Sequence, residues 1–316
     1  MPTELPTDQE IAALRSGAAI VDRSERGRLA LTGPDAPAAL NAVVSNEIEA
    51  LEPGHGCFAA CCSSKGRMFG DLRVLRTEEE LLIDTERCSL QAIFDAVRHA
   101  LVGYEAELHK RTLESCQLSL LGPSSREIVG AGSLGSEEYD NCAGEIAGHQ
   151  VLLVATDLGV DVVADADAAD AVKAALVAAG ATEAGEPLAE LARIESGRPR
   201  FGVDLDESVI PQEGGLNERA VSFTKGCYVG QETIARLHYR GRPNRRLRSL
   251  KLSGEAEAGA SLSNGEREVG TLTSVAISPE LGPVGLALVR REAEDGELLK
   301  VGDGPLTAEV LAEIGD

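Results

Sequence analysis

The stretch "TKGCYVGQE", residues 224–232, places Cys227 among glycines in the second half of the chain. The run that follows, "QETIARLHY", has helical propensity and an acidic residue in its first turn, which predicts a helix start just after the cysteine. The positive end of such a helix, together with Lys225, would favour the reactive thiolate. Gly226 and Gly230 would let the backbone approach a ligand closely. A buried structural cysteine in a tight turn fits the same residues, and the stretch alone leaves both interpretations open.

The composition around this stretch indicates a large acidic protein. The chain has 316 residues, 43% of them hydrophobic but only 3% aromatic, with no Trp. This length suits two or three domains, with cores built from Ala, Val, Leu and Ile. A net charge of -22 argues against a broad nucleic-acid or anionic-membrane surface, although it leaves room for a small basic pocket.

Targeting and cysteine signals predict a cytoplasmic protein without a membrane segment. The first thirty residues do not have the pattern of a signal peptide, and no apolar run reaches the about 20 residues that a membrane span needs. Seven cysteines without regular spacing are typical of a reduced protein. Cys57, Cys61 and Cys62 are grouped, but adjacent residues of a strand point to opposite faces, so we expect structural thiols and no metal site.

Hydrophobic patterning predicts an α+β region over residues 1–244 and a small β domain over residues 245–316. The runs "LALTGPDAPAAL" and "LSLLGPSSREIV" both read as strand, Gly-Pro and helix, which suggests two similar lobes. Short alternating runs follow the segment "YRGRPNRR". The turn signal "SNGE" among them is typical of a hairpin, and five or six strands would form a barrel or a sandwich.

Three carboxylates and a group of arginines are candidate ligand-binding residues. Asp71 is predicted at the start of a strand, Glu195 at the end of an apolar helix face, and Glu213 in the glycine-rich run "PQEGGL". A carboxylate suits a ring with adjacent N–H donors, although each one also fits a solvated surface charge. The one strongly basic stretch, "HYRGRPNRRLR", contains Arg240, Arg242, Arg245, Arg246 and Arg248. These arginines could hold an anionic tail, or they could pair with acidic groups at a domain seam.

The run from "RIESGRPRFG" through "KGCYVGQETIARLHYRGRPNRRLRSL" resembles the YgfZ-type folate-binding proteins, relatives of the aminomethyltransferase (T-protein) of the glycine cleavage system. Its "KGCYVGQE" matches the signature of that branch, and the resemblance covers nearly the whole chain. It implies a three-lobed aminomethyltransferase-like α+β fold with a small C-terminal β-barrel, and it implies tetrahydrofolate as ligand. By the same resemblance, Glu195 and Glu213 would contact the pterin, and Arg245 or Arg246 would hold the glutamate tail. The remaining folate-site candidates implied by the motif are Tyr228 and Gln231.

Two departures from the aminomethyltransferases separate the functional hypotheses. Those enzymes usually carry Asp where Cys227 stands, and two adjacent acids where Gly70 and Asp71 stand. The first hypothesis is a tetrahydrofolate-binding protein that supports iron–sulfur cluster assembly or repair, and through it tRNA modification. In it Cys227 and Lys225 are the reactive residues, and iron–sulfur client or assembly proteins are the partners. The alternatives are a folate-dependent aminomethyltransferase that uses Asp71, and a binding module with an inert cysteine.

Overall fold

The structure is a computed structural model that describes residues 5–311. These residues belong to two compact units. The first unit comprises the chain up to residue 59 together with residues 71–189. The second comprises residues 60–70 together with the chain from residue 190 onward. No helix in the described part of the chain is both long and apolar enough to cross a membrane.

The helices of the first unit are short. They are α1 (Asp8–Ser16), α2 (Ala36–Asn41), α3 (Leu90–Ala100), α4 (Ser125–Ile128) and α5 (Ala169–Ala178); a 3-10 turn, Ala166–Ala168, precedes α5, and α6 (Glu186–Glu195) ends in the second unit. A capping box starts α1, in which Thr7 and Glu10 each accept the other's backbone N–H. The helix α3 is amphipathic and buries Ile93 and Val97 on one face.

Eleven strands form the two sheets of the first unit, with β3 and β4 reaching residues of the second. Their bounds are β1 (Ala19–Asp22), β2 (Gly27–Thr32), β3 (Gly56–Cys62), β4 (Met68–Arg76), β5 (Leu81–Thr85), β6 (Glu107–Lys110), β7 (Ser115–Leu121), β8 (Asn141–Ile146), β9 (His149–Thr156), β10 (Gly159–Asp165) and β11 (Thr182–Ala184). One sheet has the order β3-β4-β5-β2-β6, and the other has the order β11-β1-β7-β10-β9-β8.

The six-stranded sheet carries the main core of the first unit. Leu118 and Leu120 of β7 alternate with polar neighbours, so their side chains share one face. That face joins a buried cluster with β10 and α5, which includes Val160, Val162, Val172 and Leu176. The alternating apolar residues of the strands and the helically spaced apolar residues of α5 therefore pack together in one buried layer.

The repeated strand, Gly-Pro and helix pattern is present at both places where the sequence predicts it. β2 leads into α2 through Gly33, and β7 leads into α4 through Gly122. Both glycines have positive φ, 104° and 117°. A Cβ on Gly33 would stand 2.5 Å from the carbonyl oxygen of Glu105, and one on Gly122 would stand 2.7 Å from that of Gly17. Only glycine fits these turns, because the backbones are in close contact.

The second unit contains a closed six-stranded barrel. Two helices precede it, α7 (Asn217–Ala220) and α8 (Gln231–Arg240). The strands are β12 (Arg245–Leu252), β13 (Ser261–Asn264), β14 (Arg267–Ser278), β15 (Gly282–Arg290), β16 (Leu298–Val301) and β17 (Thr307–Val310), in the order β12-β15-β14-β13-β16-β17. Small and branched apolar residues such as Leu250, Leu272 and Ala287 fill the interior. The predicted α+β region followed by a small β domain is confirmed, and that domain is a barrel.

Candidate functional site

The cysteine loop, residues 225–230, carries Cys227 in front of α8. Cys227 is exposed, and α8 begins at Gln231, as the sequence predicts. Gly230 is the residue before the helix and has a left-handed conformation, with φ 89°. The buried structural cysteine that the sequence also allowed is therefore wrong, because the thiol-bearing residue lies on the surface of the protein.

Gly230 packs against the tip of the β3–β4 hairpin. A Cβ at this position would stand 2.5 Å from the carbonyl oxygen of Ser63 and 3.2 Å from the Cα of Gly66. Both loop glycines were expected to let a ligand approach the backbone. Gly230 instead admits protein backbone, whereas a Cβ on Gly226 would have no protein atom within 4 Å. The two glycines thus have different roles.

Hydrogen bonds from Gln231 close the cysteine loop. Its side-chain amide donates to the carbonyl oxygen of Gly226 (3.3 Å), and its backbone N–H donates to that of Tyr228 (3.3 Å). Before the loop, the ring of Phe223 stacks on His238 of α8 with a centroid separation of 3.8 Å. Contacts on both sides of Cys227 therefore fix the loop to the helix.

Lys225 and Tyr228 form a buried pair within the loop. Both are 8% exposed, and the Lys225 ammonium lies 5.2 Å from the centroid of the Tyr228 ring. This is the geometry of a cation–π contact. Within residues 5–311 the Tyr228 hydroxyl is a buried group with no hydrogen-bond partner. Burial raises the pKa of this phenol, with a further contribution from Cys62, so the group stays protonated at neutral pH.

Cys61 and Cys62, at the end of β3, are buried thiols. Burial raises the pKa of Cys61 to about 12, and burial together with Cys61 raises the pKa of Cys62. Both stay protonated near neutral pH, which fits the structural interpretation of this cysteine group. Among the residues that the structure describes, no group of three or more His, Cys, Asp or Glu side chains could hold a metal ion.

Glu213 and Arg245, two of the predicted folate contacts, form an ion pair. Arg245 Nη2 lies 3.2 Å from Glu213 Oε2, and Arg245 Nε lies 3.3 Å from Oε1. The backbone carbonyl of Glu213 also accepts the N–H of Leu247 (2.7 Å). Glu213 is only 9% exposed. The ion pair and the backbone hydrogen bond connect the glycine-rich segment to β12. Arg246 is the next residue of the strand, and its side chain leaves from the opposite face.

Glu195 is the last residue of α6 and is half-buried. The helix end is held by Arg193, whose guanidinium donates to Asp204 Oδ2 (2.6 Å) and to Ser274 Oγ in β14 (2.9 Å). Asp204 Oδ1 accepts from the same serine hydroxyl at 2.7 Å. The position of Glu195 is therefore set by a buried charged network that joins α6 to the barrel.

Comparison with protein families identifies the chain. A family model described as "GCVT N-terminal domain" matches residues 3–225. The chain belongs to the GCVT family. A second model, described as "CAF17, C-terminal beta-barrel domain", matches residues 244–314, the part that forms the barrel.

Curated relatives of this GCVT chain are aligned over most of its length. It is 28% identical over 313 residues to an aminomethyltransferase of Rubrobacter xylanophilus, covering 96% of this chain and 84% of that protein. It is 29% identical over 300 residues to an aminomethyltransferase of Streptomyces coelicolor, covering 89% and 80%. A putative chloroplastic transferase of Arabidopsis thaliana is 27% identical over 307 residues, covering 94% and 71%.

A solved structure shares the fold. The glycine cleavage system aminomethyltransferase T from Bartonella henselae matches with a TM-score of 0.86 at 20% identity, covering 97% of this chain and 88% of that chain. At this identity the likeness shows the fold alone. The aminomethyltransferase-like fold that the resemblance implied is confirmed.

Asp71 of this GCVT chain lies in the first unit. It is the fourth residue of β4 and is 6% exposed, so its predicted place at the start of a strand is wrong. Thr85 of the neighbouring strand donates its hydroxyl to the Asp71 carbonyl oxygen (2.6 Å). Burial alone would lower the pKa of the nearby Arg26, but Asp84, Glu86 and Asp71 raise it. Asp71 is therefore part of a buried charged region rather than a turn.

Arg193, Asp204 and Gln212 of this GCVT chain were not predicted from the sequence. Arg193 is a charged residue flanked by buried Ala192 and Ile194 in an apolar helix, a signal that indicates a buried and paired charge. Gln212 precedes Glu213. Its amide donates to a carbonyl of α8 (2.9 Å), while its buried Oε1 has no partner within the described chain. A lone glutamine offers no comparable signal, because its burial depends on distant elements.

Proposed function

We propose that this GCVT-family chain binds tetrahydrofolate and supports iron–sulfur cluster assembly or repair through Cys227. The observation that carries the proposal is the exposed cysteine on a loop held by Gln231 and Gly230. A thiol presented on a fixed loop can act as a nucleophile or as one ligand of a cluster. Because one cysteine does not hold a cluster, the remaining ligands would come from a partner protein.

The residues of the second unit suit a folate. A pterin carries N–H donors and a carbonyl acceptor. Among residues 5–311, the buried Gln212 Oε1 is an acceptor without a donor, and the buried Tyr228 hydroxyl is a donor without an acceptor. Glu195 adds a half-buried carboxylate, which can accept two parallel N–H groups. Tetrahydrofolate would supply or accept one-carbon units when bound, while these residues would bind and orient it.

The glutamate tail of the folate would be held by one of the two arginines at the start of β12, Arg245 or Arg246. The guanidinium of Arg245 is already neutralised by Glu213, and its release would leave a carboxylate that is only 9% exposed without its partner. The two arginines leave opposite faces of β12, so only one of them can face a given ligand.

Anaerobic calorimetric titration with tetrahydrofolate tests the ligand. We expect binding to the unaltered protein and a loss of about tenfold or more in affinity for Glu195→Ala, since a charged hydrogen bond contributes about 1.5–3 kcal/mol. The matched control is Glu207→Ala, which removes an exposed carboxylate of the same unit. Absence of binding to the unaltered protein, or equal losses in both variants, would refute the ligand assignment.

A folate-dependent aminomethyltransferase is the second candidate. It is favoured by the names of the bacterial relatives and by the buried carboxylate-bearing residue Asp71. The two functions predict opposite effects of substitutions at Cys227 and Asp71. Cys227→Ser should abolish support of cluster assembly and spare aminomethyl transfer, whereas Asp71→Asn should do the reverse. Both activities are measured on both variants, after circular dichroism has shown that each variant is folded.

A further inference from the structure

A basic-aromatic patch lies on the second half of α8 and just beyond it. It consists of exposed side chains, namely Arg236, His238, Tyr239, Arg240 and Arg242. Tyr239 is 66% exposed, which is unusual in a chain with so few aromatic residues. Arg240 and Arg242 of the patch belong to the basic stretch that also contains Arg245 and Arg246, but no residue of the patch is among the folate contacts named above.

The helix brings part of the patch onto one face. Arg236, Tyr239 and Arg240 are spaced i, i+3 and i+4, so their side chains are neighbours on the helix surface. The aromatic part is preorganised. Phe223 stacks on His238, and its ring also meets Tyr239 edge-on with centroids 6.2 Å apart. An exposed ring held in this way loses little conformational entropy when a partner binds.

The charges of the patch are unpaired. Within residues 5–311, Arg236, Arg240 and Arg242 form no ion pair, while Arg193 and Arg248 of the same unit are paired with carboxylates. The whole chain has 52 acidic and 30 basic residues, so acidic partners are abundant. Residues 217–248 nevertheless contain eight Lys or Arg against two Glu. This local excess of positive charge complements a negatively charged surface.

We propose that the basic-aromatic patch docks an acidic segment of a partner protein beside Cys227. Tyr and Arg are the residues that most often dominate the binding energy of protein interfaces. The ten-residue helix is about 15 Å long, which suits a few carboxylates. An RNA is disfavoured relative to a short acidic segment, because its long run of phosphates brings more negative charge to a protein whose net charge is -22, whereas a few carboxylates can lie within the local positive patch.

The patch lies shortly after Cys227 in the chain, so a partner bound there could react with the cysteine. α8 begins four residues after Cys227, and Phe223, which precedes the cysteine loop, is packed on the patch itself. A standard interface covers about 800 Å² of each partner, so a protein bound at the patch would also reach the exposed cysteine. This deepens the proposed function by naming its partner surface, and it rests on that function only for the role of Cys227.

Fluorescence anisotropy with a labelled peptide of six consecutive glutamates, flanked by Gly-Ser, tests the docking in low salt. The comparison probes are the same peptide with six glutamines and a dodecauridylate RNA. The variant is Arg236→Gln/Arg240→Gln/Arg242→Gln, and the matched control removes three exposed arginines elsewhere, Arg87→Gln/Arg98→Gln/Arg267→Gln. We expect the patch variant to bind the glutamate peptide about tenfold more weakly or worse, and the control to stay within about twofold.

A second readout tests the proximity to Cys227. The glutamate and glutamine peptides each carry a C-terminal maleimide, and alkylation of Cys227 is followed by mass spectrometry in a Cys88→Ser background, since Cys88 is also exposed. We expect the glutamate peptide to alkylate Cys227 about tenfold faster than the glutamine peptide, and this advantage to vanish in the patch variant and at high salt.

Three outcomes of these assays would overturn the proposed docking. Equal effects of the two triple variants, no binding of the glutamate peptide, or a patch-dependent preference for the RNA would each overturn the proposal. The assays contain neither folate nor a cluster. Failure of tetrahydrofolate binding with intact docking would therefore contradict the proposed function alone, and loss of docking with intact folate binding would contradict this inference alone.

Discussion

Gly230 and Ser63 approach each other so closely that a Cβ on the glycine would stand 2.5 Å from the serine carbonyl oxygen. The contact joins the cysteine loop to the tip of a hairpin that is distant in the sequence. Gly230 also has a left-handed backbone conformation, which residues other than glycine adopt only at a cost in conformational energy. The exposed position of Cys227 therefore depends on a glycine at residue 230, where the neighbouring backbone leaves no room for a Cβ.

Gly230→Ala should lower the free energy of unfolding by about 1–3 kcal/mol, because the methyl group clashes with backbone at a strained φ. Gly226→Ala is the matched control in the same loop, where a Cβ has open space, and it should change the value by less than about 1 kcal/mol. Urea denaturation monitored by circular dichroism measures both. Equal stabilities of the two variants would show that the hairpin contact does not constrain the loop.

Tyr228→Phe should leave the ligand-free protein as stable as before, or more stable by up to about 1 kcal/mol, because it removes a buried hydroxyl that has no partner within residues 5–311. The ring would stay under Lys225. Thermal unfolding measures the stability, and calorimetry should show weaker tetrahydrofolate binding. Tyr239→Phe, at an exposed tyrosine, is the control. A clear loss of ligand-free stability in Tyr228→Phe alone would mean that the hydroxyl has a partner in the folded protein.

Asp84 should make the first unit sensitive to acid. Burial alone would raise its pKa, but the guanidinium groups of Arg26 and Arg73 lower it to about 2. A lowered pKa means that the ionised carboxylate stabilises the fold above about pH 4, and that this stabilisation of about 2–3 kcal/mol is lost as the pH falls toward 2.

The test for Asp84 is thermal unfolding between pH 6 and pH 2.5. Asp84→Asn should be destabilised at pH 6 and should lose less further stability on acidification than the unaltered protein, since it lacks the titrating group. Asp170→Asn, at an exposed position, is the control and should follow the unaltered protein. Parallel pH curves for the unaltered protein and Asp84→Asn would contradict the assignment.

Iodoacetamide at pH 8 should alkylate Cys227 and Cys88 in the native protein, because both are exposed. Cys61 and Cys62 should react on the order of a hundredfold more slowly, since burial raises the pKa of both thiols and shields them from the reagent. Peptide mass spectrometry over time gives the rates, and the same reaction in urea should remove the difference. Protection of Cys227 equal to that of Cys61 would favour the inert binding module.

Local signals in the sequence were sufficient for much of the fold. The two Gly-Pro turns predicted strand-to-helix connections at Gly33 and Gly122, and both are present. The "SNGE" turn predicted the hairpin between β13 and β14. The helix that follows Cys227 was also predictable. In each case residues close in sequence determine the structure, since turns and helix starts depend on the backbone preferences of a few neighbours.

The candidate site depended on contacts between distant segments. The sequence indicated that Glu213 and Arg245 could bind a ligand, but it did not show that they pair with each other. It suggested that Lys225 would act on Cys227, whereas the structure places the ammonium over Tyr228. It placed Asp71 at a strand start, although the residue is buried within β4.

The sequence by itself determined the secondary-structure pattern, the C-terminal β domain and an isolated cysteine before a helix. Only the tertiary structure decided which charges are paired, which thiols are buried and which arginines on α8 form no ion pair within residues 5–311. The physical reason is that burial and ion pairing depend on which distant segments meet. Those energies are fixed by three-dimensional packing, and the order of neighbouring residues does not encode them directly.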